Sequence, residues 1–234
     1  MNGRVIDFMP SEGRQVVIPG QILGEIPAFK AGRGTFIENK KIYSEVLGIL
    51  NIQENFIHVI PLRGRYDPEV GDFVIGVVLE ASTSNWMVDI NAPYPALLHV
   101  NEVPWEIEFA DTEKYLNTGD TILAKVLSVD ESKKLQITLN DRNLFKLKGG
   151  HLLEFEPSIY RRIIGKKFSM IEIIQKYTRC RIKVGKNGRI WIDGDPDGIE
   201  KVLQVISKIE NEAATFGLTD RIEQFLRKDA KDVR

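Results

Sequence analysis

"VGKNGRIWIDG", residues 184–194, joins two short alternating runs through Gly185-Lys186-Asn187-Gly188. Two glycines flanking two residues let backbone amides approach a phosphate closely, but Asn-Gly between alternating runs is also the strongest short signal for a type I′ hairpin turn. The flanks decide between them. "RCRIKV" before the loop and "RIWIDG" after it both alternate with period two, so the glycines lie between strands. Gly185, Asn187 and Gly188 are therefore read as structural turn residues.

Working outward, "HLLEFEP" is a strand and "SIYRRIIG" a short helix. "SMIEIIQKYT" is a helix whose Met170, Ile171, Ile173, Ile174 and Tyr177 form one apolar stripe, and "DPDGIEKVLQVISKIENEA" is a long amphipathic helix. The order βααββα over residues 148–214 is that of a type I KH domain. In that fold the phosphate-clamping loop lies between the first two helices, where backbone amides and a helix N-terminus meet RNA. Here that loop reads Gly165-Lys166-Lys167-Phe168, with its second glycine replaced by phenylalanine. Arg161, Arg162, Gly165, Lys166 and Lys167 are the candidates for phosphate contact, and exposed lysine pairs are also what a merely solvated loop carries. "DGDPDG", Asp193 to Gly198, opens like a calcium loop, but its twelfth position is Gln204 and Pro196 sits where a helix starts. Residues 215–234 continue as a charged helical tail expected to fray.

Upstream, residues 67–143 read as five strands with a helical connection after the third: "DPEVGDFVIGVVLEA", "NWMVDINA", "PALLHVNEV", then "DTEKYLNTGD", then "TILAKVLSVD" and "LQITLND". That is the pattern of an OB-type barrel, a fold whose strand face commonly tracks single-stranded nucleic acid. "VGDFVIGVV", "WMVDI", "LLHVNEV" and "TGDTILAKVLSVDESKKLQITL" resemble an S1 RNA-binding domain from end to end. The resemblance implies an RNA role for His99 and puts Ser84 and Met87 where S1 domains carry exposed aromatics. Trp86, one step away, points to the opposite face. Met87, His99, Lys133, Lys134 and Arg142 are the candidate RNA contacts here, although a lone histidine is also commonly a satisfied surface residue.

The first block, residues 1–66, is β throughout: "QVVIPGQILG", "GTFIENKKIYSEVLGIL" and "NFIHVIPL" are β-branched and aromatic runs punctuated by turn residues. The glycines of "AGRGTF" lack dinucleotide-loop spacing and read as turn glycines. The fold class is thus multidomain and mainly β with α+β: a small N-terminal β domain, an S1 barrel and a type I KH domain. Net charge over the 234 residues is −1, but it is partitioned. Residues 1–66 hold 8 Lys/Arg against 6 Asp/Glu, residues 67–143 hold 5 against 14, and residues 144–234 hold 19 against 13. The last block is the best electrostatic partner for phosphate.

No apolar run approaches the length of a membrane span, and the N-terminus has no signal-peptide core, so a cytoplasmic protein is expected. The single Cys180 has no partner for a disulfide or metal site. Three scattered histidines, no nucleophile elbow or P-loop and no two-metal carboxylate cluster leave no catalytic site, no metal and no cofactor to assign.

Taken together, "VVIPGQILG", "FKAGRGTF", "KIYSEVLGIL" and "VIPLRGRYDPEVGD", followed by S1 and then a single KH domain carrying "GKNG" before "RIWIDG", resemble the S1/KH cap subunits of the archaeal exosome, the ribosomal-RNA-processing protein 4 family. The resemblance implies a non-catalytic subunit that binds single-stranded RNA. Three copies would sit on a hexameric phosphorolytic 3′-to-5′ ring, each N-terminal domain gripping it and each S1 domain lining the entry pore. It also implies that the G-x-N-G hairpin packs the KH domain against its neighbour. Two alternatives stand beside it: a free-standing S1/KH RNA-binding regulator, and a self-sufficient nuclease, for which the carboxylate cluster is missing from the sequence pattern.

Overall fold

The computed structural model describes residues 15–62, 64–108, 111–130, 134–212, 215 and 217–232, with side chains of the last helix as far as Arg227. The chain divides after Gly64 into two compact units. The sequence pattern puts that boundary at residue 66. Tyr66 belongs to the second unit because its ring is buried there and its hydroxyl donates to Asp72 Oδ2 at 2.9 Å.

In the first unit, β1 (Val16–Val17), β6 (Gly48–Gln53), β7 (Phe56–Pro61) and β3 (Lys30–Ala31) form one sheet in that order, and β2 (Ile22–Glu25), β5 (Lys41–Ser44) and β4 (Thr35–Glu38) form another. Val17, Leu23, Ile42, Ile57 and Val59 make its core. Turn chemistry sets the corners. Pro19 and Gly20 (φ 79°) form a type II turn closed by Gln21 N–H to Ile18 C=O at 3.1 Å. Asn39 (φ 48°) and Lys40 (φ 63°), both left-handed, make a type I′ turn between the paired Glu38 and Lys41. The "AGRGTF" glycines do more than turn: a Cβ at Gly32 would lie 2.8 Å from the Ile57 carbonyl and one at Gly34 2.6 Å from that of Val59, so both let the chain run tight against β7.

The second unit holds the barrel and the KH domain. Strands β8 (Phe73–Ala81), β9 (Asn85–Asp89), β10 (Ala96–His99), β11 (Thr121–Val129), β12 (Leu135–Thr138) and β13 (Phe145–Leu147) run in the order β12-β10-β9-β8-β11-β13, and a β12–β11 pairing closes the barrel. Alternation in β9 sends Trp86 inward, fully buried, with its indole N–H donating to the Leu116 carbonyl at 3.1 Å.

β14 (His151–Glu154), β15 (Arg181–Gly185) and β16 (Arg189–Asp193) form the KH sheet in the order β14-β16-β15. Helices α1 (Tyr160–Ile164), α2 (Ser169–Thr178) and α3 (Pro196–Glu212) pack their apolar stripes on it through Ile163, Met170, Ile174, Val202, Val205 and Ile209. The tail expected to fray is instead α4 (Leu218–Asp232). Leu218, Ile222 and Leu226, spaced four apart on one face, are buried in this same core. The two domains share their apolar interior as well. Trp191, on KH strand β16, belongs to the same buried cluster as Ile75, Leu123 and Leu147 of the barrel, with its indole N–H on the Gly149 carbonyl at 2.8 Å.

Candidate nucleic-acid interface

Met87 and His99 share the outer face of the barrel. Met87 pairs across with Leu97, and His99 lies two residues further along β10 on the same side, while Trp86 and Leu98 point inward. One imidazole nitrogen of His99 is committed: Nδ1 accepts the Asn101 N–H at 3.2 Å and caps a short 3-10 turn. Lys134 begins the segment into β12, where its N–H donates to Asp130 Oδ1 at 2.7 Å and closes the β11–β12 hairpin, leaving the residue exposed. Arg142 is exposed in the turn after β12. Lys133 lies outside the described residues. Met87, His99 and Lys134 thus lie around one β9–β10–β12 surface that lacks an exposed aromatic at the two positions named for stacking, Ser84 and Met87.

The loop between α1 and α2 keeps the backbone of a glycine-rich turn with only the first of its two glycines. Gly165 (φ 75°) is followed by Lys167 (φ 52°) and Phe168 (φ 66°), both left-handed, and a Cβ at Gly165 would fall 2.6 Å from the Met170 nitrogen. Arg161 and Arg162 on α1 and Lys166 and Lys167 in the loop make no ion pair with any described residue; Arg161, Lys166 and Lys167 are exposed and Arg162 is half-buried. Phe168 is 59% exposed.

The Gly185–Gly188 turn faces the barrel, not solvent. Pairing runs to Gly185 opposite Arg189, leaving a three-residue loop in which Gly188 alone is left-handed (φ 75°), with its N–H on the Gly185 carbonyl at 3.3 Å. The type I′ expectation fails because Asn187 keeps a negative φ and turns its carboxamide into the barrel. There the side chain behaves as one more peptide group. Ile75 lies beyond the last β8–β9 pair, and Asn187 Oδ1 accepts its N–H at 3.1 Å while Nδ2 donates to its carbonyl and to that of Ile90, each at 2.8 Å. Asn187 is 0% exposed and extends a ladder that β9 leaves unfinished.

Around it, Lys186 N–H donates to the Phe73 carbonyl at 2.8 Å, and its ammonium reaches Glu69 at 2.5 Å and Asp72 at 2.8 Å. Arg189, buried, donates to the Asp89 carbonyl and carboxylate at 2.8 and 2.5 Å and to Glu154 at 3.1 Å. By its local sequence Asp89 is an isolated strand-edge acid. Its partner lies 100 positions on, beyond the reach of any local pattern.

Comparison with known proteins follows the same division of the chain. Residues 14–63 match the family model of the exosome RNA-binding protein RRP4 N-terminal domain, residues 65–108 that of the RRP4 S1 domain, and residues 152–208 that of the KH domain. The exosome complex component Rrp4 of Methanosarcina mazei is 46% identical over 216 residues, covering 92% of this chain and 83% of its own. That of Picrophilus torridus is 42% identical over 217 residues, covering 93% and 94%. The chain belongs to the Rrp4 family. A crystal structure assigned to an exosome complex RNA-binding protein is similar at 34% identity and TM-score 0.64, covering 73% of this chain and 100% of its own. The N-terminal family model that it matches is that of an exosome RNA-binding protein, and the chain carries the N-terminal, S1 and KH domains in that order. No helix among the described residues is long and apolar enough to cross a membrane, and no group of three His, Cys, Asp or Glu among them is placed to hold a metal ion.

The electrostatics of the Rrp4-family S1–KH seam give it a pH signature. For Lys186, burial works to lower the pKa, but hydrogen bonds to Asp72 and Glu69 outweigh it and raise the value above the ordinary lysine range. Tyr66 is raised as well, by burial and then by the Asp72 charge. Both groups hold their protons more tightly folded than unfolded, so the stability they contribute is complete below about pH 10 and is lost as pH rises through the folded values. Urea midpoints should stay level from about pH 7 to 9 and fall by about pH 11. Lys186→Met should lower the neutral midpoint and flatten the alkaline fall; an alkaline fall as steep as that of the unmutated chain would remove Lys186 from this account.

Proposed function

We propose that the chain is a cap subunit that docks on a hexameric phosphorolytic ring, three copies per assembly in the cytoplasm, and feeds RNA 3′ end first into it. The observation that carries this reading is the apolar surface of the N-terminal unit. Of the twenty exposed large hydrophobics among the described residues, eleven fall between Val16 and Leu62. A small unit that leaves this much apolar surface in water is built to be covered. Part of it is ordered: Ile22, Tyr43 and Phe36 stand side by side across β2, β5 and β4, with the Phe36 and Tyr43 rings stacked at 5.3 Å. The exposed β9–β10–β12 face and the unpaired KH cations then supply weak, sequence-tolerant contacts. Three copies make such contacts sufficient by raising local concentration rather than single-site affinity.

The test is to mix the purified chain with the phosphorolytic ring of the same organism, then read native mass and phosphate-dependent trimming of poly(A). A three-to-six complex that trims faster or more processively, from a chain inert alone, is the expected result. Phe36→Asp should abolish the complex while leaving the chain folded. Failure to assemble, with firm RNA binding by the chain by itself, would instead make it a free-standing regulator.

A further inference from the structure

Phenylalanine is ordinarily placed to bury its ring, and Phe168 does not. It is 59% exposed, and among the described residues no ring stacks on it and no lysine or arginine sits over its face. Its backbone is left-handed at φ 66°, a conformation that suits glycine and strains a residue with a side chain. Packing therefore explains neither the residue nor its backbone. Its neighbours along the chain are charged: Lys166 and Lys167 precede it, Arg161 and Arg162 lie on the helix before the loop, and none of the four is ion-paired among the described residues. A flat apolar face beside unpaired cations fits a ligand with a flat apolar face and a phosphate, repeated along a strand.

We infer that Phe168 is a stacking platform for a base of single-stranded RNA, with Lys166 and Lys167 on the adjoining phosphates. The loop then holds RNA by a base face where a glycine-rich loop would hold it by backbone approach. The contact reads no sequence, because every base offers a π face. This deepens the RNA-binding reading and rests on it.

The two kinds of contact respond differently to salt, which makes the inference testable with the full chain and a labelled poly(A) oligomer of about twelve nucleotides. Titrations across a KCl series should show Phe168→Leu binding roughly five- to a hundredfold more weakly with an unchanged salt slope, because stacking releases no counterion. Lys166→Gln/Lys167→Gln should instead reduce the slope by about 0.7 for each phosphate the lysines no longer neutralise. Phe168→Gly separates platform from obstacle: it also weakens binding if the ring stacks. Tighter binding by Phe168→Gly would overturn the inference, since the ring would then be blocking a clamp. Phe168→Leu equal to the unmutated chain would overturn it while leaving RNA binding intact, and no binding by the unmutated chain at any salt would overturn both.

Discussion

Asn187→Ala is expected to destabilise the S1–KH unit by about 3–5 kcal/mol, because it orphans three buried backbone groups that each cost about 1–3 kcal/mol when unpaired. The Ile75 N–H and the Ile75 and Ile90 carbonyls have no other described side chain in reach, and the carboxamide that serves them is sealed from water. At about 2–4 °C per kcal/mol for a unit of this size, the thermal midpoint should fall by about 6–20 °C. Asn187→Asp is the informative companion. It keeps the shape but replaces the donating amide with an acceptor facing two carbonyls, so it should cost at least as much at neutral pH and recover partly in acid, where the protonated carboxyl donates once. A midpoint for Asn187→Ala within about 2 °C of the unmutated chain would mean that water reaches the seam and the carboxamide is dispensable.

The second large effect concerns binding. Reversing Arg161, Arg162, Lys166 and Lys167 to glutamate together should weaken single-stranded RNA binding by about a hundredfold or more near 0.1 M salt. The slope of log affinity against log salt should shrink by up to about 3, at about 0.7 per phosphate. Because none of the four cations is ion-paired among the described residues, no structural pair is broken, and unfolding free energy should move by no more than about 1 kcal/mol. Filter binding or anisotropy across a salt series, read beside a urea melt, separates the two quantities. Unchanged affinity and slope would move the RNA off the KH loop and onto the barrel face of Met87, His99 and Lys134.

Period carries most of the fold. The switch from alternation to helical spacing after residue 157, the Asn-Gly between strands, and the inward turn of Trp86 are local signals that the KH elements and β9 follow, whereas the connection read as helical over "DTEKYLNTGD" is a single 3-10 turn, Thr112–Lys114, and β13 joins the barrel beyond the five strands read for it. Sequence and structure part where a local signal meets a distant partner. The Asn187 turn type is illegible in the sequence because its carboxamide answers to Ile75, 112 positions away. Charge dominates the composition of α4 and hides its docking, although Leu218, Ile222 and Leu226 do recur at helical spacing. Of the candidate site, the cations are legible as residues, but not their lack of partners. The replacement of a glycine by Phe168 is visible in the sequence, while the exposure of its ring requires the folded loop.

Trp191 has a consequence for the order in which the molecule is made. It completes a cluster that also holds the barrel residues Ile75, Leu123 and Leu147, which are synthesised first. As the chain leaves the ribosome, the barrel strands emerge with that outer patch still wet, and it stays wet until the KH strand carrying Trp191 and the turn carrying Asn187 have cleared the exit. The last step of barrel folding is thus contributed in cis by a different domain. Sharing one buried cluster, the docked domains should open as one cooperative unit, their slowest-exchanging amides having a common protection free energy.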